Sequence, residues 1–290
     1  MTTDIRTRPV QQIVDGDDAA QVTARRAFFQ AVTAGDVVDD PAGRFLARDV
    51  MALMGARDAA QVARRLGQMR VAATSRARAE AAPTTRRHDA MPQDIHEVRR
   101  IQPYAHFFAV EEYDLTFRRF DGTPSEVVNR AVFISGDAVT VLPYDPVRDR
   151  VLVVEQFRPG PYGRDDPQPW QIEAIAGRID AGETPEVAAR REAVEEAGLT
   201  LEGLERVSSF YPSPGAKAEF IYAYVAVTDL PDDAAGVFGM EGEAEDIRGH
   251  LMSLSDLMGL VASGEVQNAP LIITALWLER EAARIRASGP

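Results

Sequence analysis

Apolar and polar positions divide the chain into two textures. In the first, residues 19–33 set Val22, Phe28, Phe29 and Val32 around Arg25 and Arg26. Residues 58–82 are rich in Ala, Arg, Gln and Leu. Good helix formers with apolar positions at helical spacing predict helices in both stretches. Gly35, Pro41–Gly43 and Gly55 punctuate the region. Residues 83–94, PTTRRHDAMPQD, hold two prolines and few apolar side chains, and read as a linker. From about residue 95 the spacing turns strand-like. Residues 107–117, 127–134, 138–142 and 151–156 are short apolar runs separated by Asp-Gly, Ser-Gly-Asp and Asp-Pro turns. Residues 144–154 predict a hairpin. A helix is expected over residues 185–197, strands over 207–211 and 221–227, and two closing helices near 255–263 and 271–287. Strands, one central helix, more strands and final helices predict an α+β chain or a three-layer sandwich.

Length and composition refine this picture. At 290 residues the chain exceeds one ordinary compact domain, so one large or two smaller domains are expected. The texture change places them at residues 1–92, helical and ending in the linker, and residues 93–290. A hydrophobic content of 45% is enough for a sizeable core. There is no cysteine, which excludes disulfides, thiolate metal sites and cysteine nucleophiles. Neither a signal-like apolar run at the start nor an uncharged run of membrane-spanning length is present, so a soluble cytoplasmic protein is expected. Charge is uneven. Residues 1–90 hold 14 arginines against 11 carboxylates, net +3, whereas residues 91–290 carry −16. The acidic part repels a nucleic-acid backbone and favours gathering cations. The arginines of the first part alternate with acids, as on a solvated helix surface, so no nucleic-acid partner is predicted.

The segment most able to carry chemistry is residues 177–199, GRIDAGETPEVAARREAVEEAGL. Thr184 suits a helix N-cap, Pro185 the first helical position and Gly198 a left-handed C-cap. Val187 and Val194, seven apart, are expected to share a buried face. Glu192, Glu195 and Glu196 then point away from it. Carboxylates crowded on one helix face repel by about 0.2–0.5 kcal/mol per pair. A hard divalent cation such as Mg²⁺ turns that cost into binding energy. A solvated acidic face is the alternative. Gly177 and Gly182 bracket a tight strand-to-helix crossing at which a backbone carbonyl can join a metal shell.

The segment resembles the Nudix box, Gly-x5-Glu-x7-Arg-Glu-U-x-Glu-Glu-x-Gly-U, with U a bulky aliphatic residue. Gly177, Glu183, Arg191, Glu192, Glu195, Glu196, Gly198 and Leu199 match it, and Ala193 stands where a larger aliphatic is usual. Beyond the box, VLPYDPVRD, VEQFRPGPY, PWQIEAIAGRID, SPG, EAEDIR and NAPLIITALWL resemble the bacterial ADP-ribose pyrophosphatases. The likeness runs from about residue 107 to 277, and residues 1–92 lie outside it. It implies an α+β fold, the Nudix α/β/α sandwich with a mixed sheet, here preceded by a small, mostly helical N-terminal region. It implies hydrolysis of ADP-ribose to AMP and ribose 5-phosphate with Mg²⁺, for which Mn²⁺ can substitute. Glu192, Glu196, Glu245 and the carbonyl of Ala176 would be metal ligands, with Glu195 shared or supporting. Glu243 would be the catalytic base, and Arg191 and Glu183 would orient the box. Arg130, Arg158, Glu173 and Glu219 would meet the substrate. Lys217 stands where the family usually has a small or hydroxyl residue. Phe107 and Phe108 are read as core rather than as an adenine platform. The family commonly forms homodimers by exchanging strands equivalent to residues 105–135. Two other activities fit the same residues: hydrolysis of another nucleoside diphosphate sugar or a dinucleotide, and ADP-ribose sensing without cleavage. No membrane partner is implied.

Overall fold

Residues 138–145 form a strand buried at all but its first position, and they run through the middle of the larger sheet. The computed structural model describes residues 5–79, 83–239 and 246–288. Its contacts divide the chain into two compact units, residues 1–136 with 213–219, and residues 137–212 with 220–290.

The second unit is built on a mixed sheet. Strand β4 (Ala138–Asp145) pairs in parallel with β10 (Ile221–Val227), which pairs antiparallel with β8 (Glu205–Phe210). On its other side β4 meets β5 (Arg150–Phe157) through the expected hairpin, and β7 (Ile175–Arg178) along its first half. β5 pairs antiparallel with β12 (Ile247–Ser253) and β6 (Trp170–Glu173). Alternation along these strands sorts side chains to two faces. Val139, Val141, Leu152 and Val154 face the alanines of α7 (Pro185–Ala197). Leu142, Tyr144, Val151 and Val153 join Leu254 and Leu257 of α8 (Leu254–Ser263) and Leu271, Ala275 and Leu278 of α9 (Ala269–Ser288). The result is the expected helix–sheet–helix sandwich.

The first unit joins helices to a smaller sheet. Strands β1 (Ile95–Ala105), β2 (Ala109–Phe117) and β3 (Val128–Ile134) form an antiparallel meander, and β9 (Lys217–Ala218) adds in parallel to β3. Helices α1 (Val10–Asp15), α2 (Val22–Thr33), α3 (Pro41–Met51), α4 (Ala59–Ala63) and α5 (Leu66–Arg78) share apolar clusters around Val32, Phe45, Leu46 and Val50. Ala72 of α5 packs on Ala105, Ala109 and Ile134 of the sheet. Arg76 pairs with Asp49 and, at 2.9 Å, with the buried Glu111 of β2.

Several expectations are corrected. Pro41 does not interrupt a helix but starts one: Asp40 caps α3 by accepting from the Gly43 amide at 2.7 Å. The single helix expected over 58–82 is two, broken at Arg64 and Arg65, and residues 80–82 lie outside the described residues. β1, β6, β7 and β12 were not expected.

Candidate active site

The helix that carries the acidic residues is set by its ends. Thr184 accepts from the Val187 amide at 3.3 Å, Pro185 occupies the first turn, and Gly198 ends the helix at φ 63°. Tyr224 of β10 donates to Glu186 at 2.8 Å and ties the first turn of α7 to the sheet. Burial pushes the Tyr224 phenol up, and its hydrogen bond holds the Glu186 carboxyl down.

The buried face of α7 is not the predicted one. Val187 and Val194 are 52% and 54% exposed. Ala188, Ala189, Ala193 and Ala197 pack on the sheet instead, and Glu192 and Glu196 are buried beside them, at 9% and 2% exposure. Small side chains let the helix lie close to β4 and β7, and that approach carries the two carboxylates inward. Glu196 accepts from the Ala176 amide at 3.1 Å. Glu192 occupies the space that a side chain at Gly177 would fill, since a Cβ there would lie 1.8 Å from Glu192 Oε1.

Arg191 clamps the cluster. Its Nε and Nη2 donate to the two oxygens of Glu183 at 2.9 and 3.0 Å, and Nη2 also reaches the Arg178 carbonyl at 2.9 Å. Nη1 donates to Glu192 at 2.7 Å and Glu195 at 2.9 Å. Glu183, and then the charge of Glu192, hold the guanidinium protonated well above its ordinary range, against its desolvation. Three carboxylates, Glu183, Glu192 and Glu195, thus hold one guanidinium, and the buried Glu196 stands one turn beyond Glu192 on the same helix, so acids outnumber the cation among these residues.

Sequence comparison places these residues in a known group. The NUDIX domain matches residues 135–274. An ADP-ribose pyrophosphatase of Escherichia coli (strain K12) is 39% identical over 186 residues, 64% of this chain and 88% of that one. An ADP-ribose pyrophosphatase of Haemophilus influenzae is 33% identical over 198 residues, 68% of this chain and 91% of that one. The chain belongs to the Nudix family. Its relatives also include a GDP-mannose pyrophosphatase of Cronobacter sakazakii, 35% identical over 163 residues, 56% of this chain and 81% of that one. The crystal structure of an ADP compounds hydrolase shares the fold, with a TM-score of 0.52 at 23% identity over 68% of this chain and 97% of that chain.

The buried carboxylates fit a hard divalent cation in donor chemistry and in excess charge. Gly177 leaves one of them the room it needs. Among the described residues no three acidic or imidazole side chains already stand as a complete ligand set. Glu243 and Glu245, expected in the same site, lie outside the described residues. The remaining candidates divide between the two units. In the box unit, Arg158 at the end of β5 grips Glu173 of β6 at 2.6 Å, and Glu173 is buried. In the other unit, Arg130 on β3 donates to the Asn129 carbonyl at 2.8 Å. Glu219 there is held by Lys217 at 2.8 Å and accepts from Ser135 at 3.2 Å. Lys217 therefore stands as the counter-charge of Glu219. Phe107, read as core, is 57% exposed, edge-on to Phe108 at 4.8 Å.

The box unit also holds a cavity apart from the predicted site residues. Glu155, Gln168, Trp170, Val237, Asp246 and Arg248 line a cavity of about 370 Å³. Glu155 pairs there with His250 at 2.9 Å and with Arg248 at 3.6 Å. Its segments, VEQFRPGPY and EAEDIR, are among those matched to the family, which is the signal available for it.

Proposed function

We propose that the protein is a Mg²⁺-dependent hydrolase that splits the diphosphate of ADP-ribose into AMP and ribose 5-phosphate. The observation that carries this reading is the pair of buried carboxylates, Glu192 and Glu196, held beside Gly177 under the Arg191 clamp. The relatives named ADP-ribose pyrophosphatase support the substrate. Glu192 and Glu196, with Glu245 and the Ala176 carbonyl, would hold the cation. A bound divalent cation supplies charge neutralisation at the diphosphate and a water of lowered pKa. Glu243 takes the proton of the attacking water as general base. Arg191, fixed by Glu183, holds Glu192 and Glu195 in position. Arg158, oriented by Glu173, presents a planar fork of the kind that pairs bidentately with phosphate oxygens. Arg130 and Glu219 bind the rest of the substrate. Homodimerisation and a cytoplasmic location belong to the same proposal.

Hydrolysis of GDP-mannose is the second reading, favoured by the relatives that bear that name. A product assay with Mg²⁺ on ADP-ribose, ADP-glucose, GDP-mannose and NADH separates them. AMP and ribose 5-phosphate as the fastest products support the first reading. Faster release of GMP from GDP-mannose replaces it with the second. Saturable ADP-ribose binding without any product leaves a sensing module.

A further inference from the structure

The helical part of the chain lies outside the Nudix match, yet it builds a concave site of its own. Where α4 passes into α5, Arg57, Gln61, Arg64, Arg65 and Gln68 line a cavity of about 470 Å³ together with His106 from the turn between β1 and β2. All of these residues belong to one compact unit. Among the described residues none of the three arginines is in an ion pair. Arg65 is steadied by neutral acceptors only, donating to the His106 carbonyl at 3.1 Å and to Gln102 at 3.0 Å. Burial and the charge of Arg57 push its guanidinium down, and Glu111 opposes them at a distance. Several other arginines of the unit do meet carboxylates: Arg26 with Asp15, Arg44 with Asp39, Arg70 with Asp36 and Arg76 with Glu111. Here three guanidiniums line one hollow, and none of its lining residues is a carboxylate.

We propose that this hollow is a binding site for a small phosphate-bearing anion, either free phosphate or the phosphate of a phosphorylated sugar. Three guanidinium forks, one from the turn before α4 and two from the break between α4 and α5, match the several oxygens of a tetrahedral dianion. The Gln61 and Gln68 amides on the same wall supply neutral hydrogen bonds for the sugar hydroxyls of a phosphate ester. The volume lies within the roughly 300–1,000 Å³ usual for small-ligand sites. An extended polyanion would instead need a continuous basic stripe, and residues 1–90 carry only a net +3 with acids interspersed. The site is independent of the hydrolase reading, since it uses no residue of the Nudix box.

Isothermal titration of the full chain with inorganic phosphate and with ribose 5-phosphate, at constant ionic strength set with chloride, tests this. Saturable binding is expected, and Arg57→Gln with Arg64→Gln should weaken it on the order of tenfold or more. The hydrolase rate of that variant should stay at the wild-type value. Arg64 is exposed, so Arg64→Gln alone gives a folded variant with a measurable loss if the double variant is unstable. Equal affinity for both probes assigns the site to phosphate itself, and tighter ribose 5-phosphate assigns it to the ester. Binding that persists unchanged in the arginine variants overturns the proposal, as does the absence of saturable binding to either probe.

Discussion

At Gly177 one methyl group is enough to disturb the site. A Cβ there would lie 1.8 Å from Glu192 Oε1 and 2.0 Å from its carboxyl carbon. The obstacle is the far end of a flexible side chain, so the backbone need not move and the carboxylate must. Gly177→Ala should therefore keep the fold, with a melting temperature within a few degrees of wild type. Its turnover should fall by roughly 10² or more, because a displaced ligand misplaces the charge it holds. Turnover near wild type would mean that the position of Glu192 is not needed. Glu196→Gln is the complementary change, since it retains size and the Ala176 contact while removing charge. A loss of kcat on the order of 10³ is expected from its role in holding a cation. Steady-state kinetics at saturating Mg²⁺ would expose a failure of that role as undiminished kcat.

The box helix and the hairpin each carry a further test. Ala193 stands where the family prefers a larger aliphatic, and it is wholly buried against the sheet among other alanines. Ala193→Ile should overpack this face and cost about 1–3 kcal/mol, read as a lower denaturation midpoint; a midpoint above wild type would reveal a void instead. In the β4–β5 hairpin, buried Asp145 accepts from the amides of Val147 and Leu230 and from Arg148 at 2.6 Å. Burial raises its pKa, but Arg148 and the amides outweigh it and hold the carboxyl below its ordinary value. A depressed folded pKa contributes stability that is present above the unfolded value and lost as pH falls through the folded one. Asp145→Asn should cost on the order of 2 kcal/mol near neutrality. Its deficit against wild type should shrink as pH falls below about 4, the ordinary carboxyl value. A deficit constant with pH would assign the loss to packing. The same elements show what was legible. The ends of α7 could be read from Thr184, Pro185 and Gly198 because caps are local chemistry. The buried face could not, since the valines that look apolar face outward and four alanines with two carboxylates face in. β1 could not be read because most of its residues are exposed and its apolar positions do not alternate. β6 and β7 are only four residues each, too short for any period to register.

At the scale of the whole chain, the helical residues outside the Nudix match are joined to β1, β2 and β3 by charge as well as by apolar contact. Glu111 is 4% exposed, and Arg76 of α5 donates to both of its oxygens, at 2.9 and 3.0 Å. Tyr113 also donates to Glu111, and its phenol is pushed up to about 12 by burial and by that carboxylate. The box unit, by contrast, has its own two-sided core on β4, β5 and β10. A fragment of residues 93–290 retains that core entire. It loses Arg76, and it loses Ala72 from the cluster of Ala105, Ala109 and Ile134. Removing one partner of a buried pair leaves an uncompensated charge, at a cost of roughly 3–5 kcal/mol. That cost falls on β2 and its neighbours. Hydrogen exchange of the fragment should show α7, β4 and β10 protected as in the full chain, while amides of β1, β2 and β3 exchange faster. Glu111→Gln in the fragment should recover part of the lost protection, because the buried charge is gone. In the full chain the same substitution should destabilise, because Arg76 loses a partner. Equal protection of β1, β2 and β3 in both proteins would mean that the helices contribute nothing to the sheet. Loss of protection in α7 as well would mean that the two units unfold as one.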